Sequence, residues 1–161
     1  MSRKTARRSL ASIIPTAFRP APLSNCRTTT LLAAPATEEI VRWATPVMYF
    51  RRNVTRDTEI RGHRIAAGDK VAMYYISGNR DEEVFDDPFT FDIRRQPNDH
   101  VAFGFGTHFC LGASLARLEI RALFEELVRR VPKMHLAAGA EPTKVPSAFA
   151  CAYDAIPVEI G

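Results

Sequence analysis

The stretch Val101-Ala-Phe-Gly-Phe-Gly-Thr-His-Phe-Cys110-Leu-Gly-Ala-Ser114 governs the reading of the rest of the chain. Phe103, Gly106, Cys110 and Gly112 stand as Phe-x-x-Gly-x-x-x-Cys-x-Gly, with His108 two residues before the cysteine. Three glycines in nine residues let the backbone turn tightly and approach a flat ligand closely. An amphipathic helical pattern begins just afterwards, so the sulfur falls near a helix N-terminus, where partial positive charge suits an anionic thiolate. Amides in such a turn are also placed to donate to a metal-bound sulfur. A lone cysteine is usually a small buried hydrophobe. This four-position pattern, however, arises by chance on the order of once in a thousand chains of this size. Zinc is disfavoured because Cys26 and Cys151 are remote in sequence and no Cys-His cluster accompanies them. A metal-ligating thiolate is the better reading.

Outward from the loop, Leu111, Leu115, Leu118, Ala122 and Leu127 keep helical spacing to Val131, where Pro132 follows. Arg121 with Glu125, and Glu126 with Arg130, form i,i+4 pairs on its solvent side. Upstream, residues 77–100 are turn-rich and charged. Asp81, Glu82, Glu83, Asp86 and Asp87 lack the alternating spacing and glycine of a calcium loop. Residues 46–55 alternate as a strand, Thr58 to Ile65 reads as a hairpin turning at Gly62, Ala67-Gly68-Asp69 is a turn, and Val71–Ile76 is an apolar strand. Ala36 to Thr45 reads as a short helix stopped by Pro46, with Thr45 extended. Glu39 and Arg42 share one face of it at i,i+3. The tail from Val145 to Ile160 reads as a final hairpin.

Taken together, Phe103 to Gly112 resembles the haem-binding loop of the cytochromes P450, the haem-thiolate monooxygenases. Glu39-x-x-Arg42 is similar to that family's second signature. The resemblance covers about residues 31–161 and implies an α+β, mainly α fold, the C-terminal portion of the family's domain. Its parts would be a short helix, a small β-sheet, a meander, the cysteine loop, a long proximal helix and a terminal β-hairpin.

The resemblance also implies haem b, iron protoporphyrin IX, with Cys110 as the axial iron ligand whose electron push promotes dioxygen cleavage. His108 and Arg52 would meet haem propionates, Phe103 would pack beside the ring, and Gly104 and Gly112 would shape the loop. Glu39, Arg42 and Arg95 (Arg94 as fallback) would form a buried structural network. Val47, Met48 and Phe149 would line the substrate pocket. Expected partners are a ferredoxin-type electron donor with its reductase and a small apolar substrate such as a steroid or lipid.

The net charge of +4 is unevenly spread. Residues 1–30 carry six basic and no acidic residues, whereas residues 31–161 carry 16 basic and 18 acidic, a net −2. The basic excess thus belongs to a short Arg/Ser/Pro-rich arm, read as unstructured, and gives no ground for nucleic-acid binding by the body. That arm is open to several readings: an organellar targeting peptide, a basic arm that touches anionic lipid or nucleic acid, a solvated tail, or a shifted reading frame or misplaced start. No apolar run is long enough to span a bilayer. Three widely spaced cysteines fit a reducing compartment, and a cytoplasmic location is expected.

No Ala-Gly-x-(Asp/Glu)-Thr run occurs in the chain. In the family such a run carries the acid–alcohol pair that relays protons to bound dioxygen. The chain by itself is therefore expected to be inactive in oxygen insertion. Two alternatives stay open: a non-catalytic haem-binding remnant from a truncated or frameshifted gene, or the C-terminal half of a split enzyme completed by a separately encoded N-terminal piece.

Overall fold

Two long helices and four small sheets make up the regular structure of residues 26–161, the part that the computed structural model describes. The basic arm lies almost wholly outside the described residues. Helix α1 spans Cys26–Ala44, longer than the short helix read from sequence and reaching five residues into the segment taken as arm. Pro35 sits inside it. Proline removes one ladder hydrogen bond, which marks a boundary in a sequence, but the helix continues through that gap.

Thr45 closes α1 with φ +39°, left-handed rather than extended as Pro46 suggested. A β-branched residue there is strained. The strain is held by burial and by its hydroxyl, which donates to Arg42 O (2.6 Å) and accepts from Asn79 Nδ2 (2.9 Å).

Strand β1 (Tyr49–Asn53) pairs antiparallel with β4 (Lys70–Tyr74), placing Tyr49 opposite Tyr74 and Arg52 opposite Val71. Between them β2 (Thr58–Ile60) and β3 (His63–Ile65) form a hairpin. Arg61 and Gly62 both take positive φ in its two-residue turn, the geometry that matches strand twist. A single turn, α2 (Tyr75–Gly78), leads from β4 into the irregular segment 79–105.

After the cysteine loop, α3 runs Ala113–Arg130 and packs on α1. Its Arg121–Glu125 and Arg130–Glu126 pairs form as read, on the exposed side, where such pairs add little stability. The terminal hairpin is β6 (Thr143–Lys144) with β7 (Tyr153–Ala155), and β8 (Val158–Glu159) returns to β5 (His135–Leu136).

The centre of the fold is unusually polar. Buried apolar side chains among the described residues are Val41, Tyr75, Phe85, Ala102 and Ala113; Thr37, Glu39, Arg42, Thr45 and Asn79 are buried beside them. Larger apolar side chains stay outside: Phe105 is 87% exposed, Leu111 102%, and Leu115 and Leu118 more than half exposed.

Candidate metal centre and its supporting network

The cysteine loop is closed by its own backbone. Gly104 N–H donates to Val101 O (2.8 Å), Phe109 N–H to Gly106 O (3.0 Å), and Cys110 N–H to Phe103 O (2.9 Å). A 3-10 turn at Gly106–His108 lies between the two ends. Ala113 N–H donates to Cys110 O (3.2 Å), tying the cysteine to the start of α3. The amides of Leu111, Gly112 and Ser114 find no carbonyl partner among the described residues, as helix N-termini commonly leave them. Cys110 itself is a free, exposed thiol. A Cβ on Gly112 would stand 4.0 Å from Cys110 Sγ, in ordinary van der Waals contact, and its φ of −85° is open to any residue.

Gly104 is required twice over. Its φ is +78°, and a Cβ there would lie 3.2 Å from the Tyr75 hydroxyl and 3.6 Å from His108 O. Gly62 shares the same backbone region (φ +79°) with nothing within 4 Å. Gly62→Ala should cost only the left-handed penalty, about 1–2 kcal/mol. Gly104→Ala should cost more, because Tyr75 must also shift. Urea unfolding of the two variants checks this; equal midpoints would refute the steric part.

Phe103 is held from several sides. The Arg117 guanidinium lies 4.6 Å from its ring centroid, His100 5.9 Å and Phe109 6.3 Å. His108 is exposed at the end of its turn. Arg52 is half-buried on β1; its Nη1 donates to Arg51 O (3.1 Å), and no carboxylate is in ion-pair range among the described residues. It shares a strand face with Phe50, two residues away. The Phe50 ring lies 5.9 Å from that of Tyr75, whose hydroxyl abuts Gly104, so β1 reaches the loop through aromatic contacts.

Val47, Met48 and Phe149, about a hundred residues apart in sequence, come together. Val47 bridges to Ala150, Met48 N–H donates to Phe149 O (3.0 Å), and the Phe149 ring packs edge-on against Tyr49 and Phe50.

Beneath the loop, Glu39 and Arg42 are fully buried. Arg42 Nε and Nη2 each donate to a Glu39 oxygen at 2.7 Å, a bidentate fork. Arg42 also donates to the carbonyls of Asn79 (2.7 Å), Pro88 (3.0 Å) and Thr90 (3.2 Å). Arg95 Nε reaches Glu39 Oε2 at 3.2 Å and clamps the carbonyls of Asp86, Asp87 and Thr90. Arg95, not Arg94, therefore joins the pair. Asp92 N–H and Asn98 Nδ2 complete the donors to Glu39.

The sequence reading missed Asn79, whose Oδ1 accepts from Val101 N–H (2.7 Å) and so carries the network to the cysteine loop. It also missed Glu38, His100 and Arg117. Glu38 accepts from Arg117 at 2.7 and 3.0 Å and bonds His100 Nε2 at 3.0 Å. These partners lie 79 and 62 residues from Glu38, and no local pattern announces them.

Burial pushes the Glu38 and Glu39 carboxyls up, but hydrogen bonds and charge more than offset it, from Arg117 and His100 for Glu38 and from Arg42, Asp92 and Arg95 for Glu39. Both end below the ordinary 4.5. Burial depresses His100 below 6.5, against the pull of Glu38. In each case the unfolded chain binds protons more readily than the folded one. The stabilisation from neutral His100 is complete above about 6.5 and fades as pH falls through that value; that of the carboxylates is complete above 4.5 and fades below it. The urea midpoint should therefore fall in two stages between pH 7 and 3. A flat profile from pH 7 to 5.5 would remove His100 from the account.

The chemistry available is a soft, exposed sulfur donor on a rigid loop, apolar side chains exposed around it, and two cationic or cation-capable groups, Arg52 and His108, without carboxylate partners among the described residues. That set fits a flat, apolar, metal-bearing ring with acidic substituents.

Residues 25–143 match the family model described as Cytochrome P450. The methyl-branched lipid omega-hydroxylase of Mycobacterium tuberculosis H37Rv is 54% identical over 128 residues, 79% of this chain and 29% of that protein. The steroid C26-monooxygenase of Mycolicibacterium smegmatis is 47% identical over 123 residues, 76% of this chain and 31% of that protein. A Mycobacterium marinum cytochrome P450 solved in complex with pseudoionone superposes with a TM-score of 0.75 at 47% identity, over 80% of this chain and 30% of the other. The chain thus spans less than a third of the length of each of these relatives. No helix among the described residues is long and apolar enough to cross a membrane. Sequence, fold and relatives agree: the chain belongs to the cytochrome P450 family.

Proposed function

We propose that residues 31–161 form the proximal haem platform of a cytochrome P450 monooxygenase, with Cys110 as the thiolate ligand of haem b. The observation that carries this is the free, exposed Cys110 thiol on a glycine-shaped loop at the head of α3, among apolar side chains left exposed. Bound there, the haem would supply the family's oxygen-activating iron chemistry. The chain's own residues do the holding. Arg52 and His108 take the propionates, Phe103 presents an aromatic side, and Gly104 and Gly112 let the backbone pass close. Glu39, Arg42 and Arg95 keep α1, the irregular segment and the loop in one frame.

Val47, Met48 and Phe149 meet the substrate. The names of the relatives favour an apolar lipid or steroid. A ferredoxin-type donor with its reductase supplies electrons, in the cytoplasm. Oxygen insertion itself needs the acid–alcohol pair, which no run in this chain supplies. We assign that pair to a segment not contained in these residues that packs on the exposed apolar side chains.

The test is the carbon monoxide difference spectrum of the full chain loaded with haem b and reduced with dithionite. A red-shifted Soret band supports the reading. A band at the position of neutral-ligand haems, or no haem uptake, overturns it.

A further inference from the structure

Glu38 neighbours Glu39 on α1 but faces a different set of partners. One oxygen accepts from Arg117 Nε on α3 (2.7 Å); the other accepts from Arg117 Nη2 (3.0 Å) and meets His100 Nε2 (3.0 Å). The His100 side chain is only 2% exposed. Its Nδ1 accepts from Ala102 N–H (3.3 Å), which leaves the proton of the neutral ring on Nε2, donating to Glu38. One carboxylate therefore orients both the guanidinium and the imidazole.

Both of those groups lie against the same ring. Arg117 and His100 sit 4.6 and 5.9 Å from Phe103, and Phe103 O accepts the Cys110 amide (2.9 Å). We propose that Glu38 is a positioning residue for the Cys110 loop. Through Arg117 and His100 it clamps the Phe103 ring, and through the Phe103 backbone it sets where the sulfur stands. This deepens the assignment of Cys110 as ligand and rests on it for its functional consequence, whereas the mechanical link rests on the contacts alone.

The device couples three elements at one point. α1 supplies the carboxylate, α3 the guanidinium, and the loop both the imidazole and the aromatic ring. The Glu39 network anchors the irregular segment and reaches the loop at Val101, through Asn79. The Glu38 clamp acts two residues further on, at Phe103, immediately across the turn from Cys110. A shift of α1 against α3 would thereby be transmitted to the sulfur.

The experiment measures amide hydrogen exchange of the full chain in Glu38→Gln and Arg117→Lys, with Arg121→Gln, on the outer side of α3, as control. Glutamine keeps the size of Glu38 without its charge, and lysine keeps the charge of Arg117 without its fork. The Cys110 amide should exchange about tenfold faster in both variants, with the β1–β4 amides and the control unchanged. Loaded with haem b and reduced under carbon monoxide, both variants should divide the Soret absorbance between red-shifted and ordinary positions. An unchanged Cys110 amide in both variants, or equal acceleration across β1 and β4, overturns the proposal. A wild-type chain lacking the red-shifted band would count against the ligand assignment, and the exchange data would then decide the clamp by themselves.

Discussion

Arg42→Ala is expected to cost about 3–5 kcal/mol, the range for removing one member of a buried ion pair. The side chain has no exposed surface and makes five hydrogen bonds, two to Glu39 and three to carbonyls. Alanine leaves Glu39 with only Arg95, Asn98 and the Asp92 amide, and leaves the carbonyls of Asn79 and Pro88 without their side-chain donor. Each unsatisfied buried acceptor costs about 1–3 kcal/mol. Few apolar side chains are buried to absorb the loss, and domains of modest stability hold only about 5 kcal/mol in all. Arg42→Ala should be mostly unfolded in urea titrations followed by circular dichroism. Arg42→Lys should fall between, since an ammonium cannot span the carboxylate and three carbonyls at once. A wild-type midpoint for Arg42→Ala would mean that the network is not what holds the fold.

Cys110→Ala is expected to abolish the red-shifted carbon monoxide band completely, and Cys151→Ala to leave it intact. Both thiols are free and exposed, so accessibility does not separate them. Their settings do. The Cys110 amide closes a glycine turn and its carbonyl starts a long helix, whereas the Cys151 amide bonds Pro46 O (2.7 Å) at the Val47–Ala150 bridge. A soft donor must be held on a backbone whose motion is restricted if the metal is to keep its thiolate. Persistence of the band in Cys110→Ala would transfer the ligand role to another sulfur and refute the proposed platform.

Much of this was legible in the residues. The i,i+3 spacing of Glu39 and Arg42 set them on one helix face, and the helix period after Cys110 placed α3, because both signals are local. Gly62 marked its turn for the same reason. Local signals misled at α1, read as a short helix from Ala36 but beginning at Cys26, and at Thr45, whose left-handed backbone is held by Asn79, 34 residues away.

The sequence by itself determined the family and the order of the main elements, and it singled out the Cys110 loop, since each is written in spacings of a few residues. Tertiary structure alone decided that Glu39 and Arg42 are wholly buried and that Arg95 rather than Arg94 joins them. It likewise decided that Glu38, His100 and Arg117 converge on Phe103. Burial and long-range pairing depend on which distant segments share one volume, and a single chain of letters does not record that sharing.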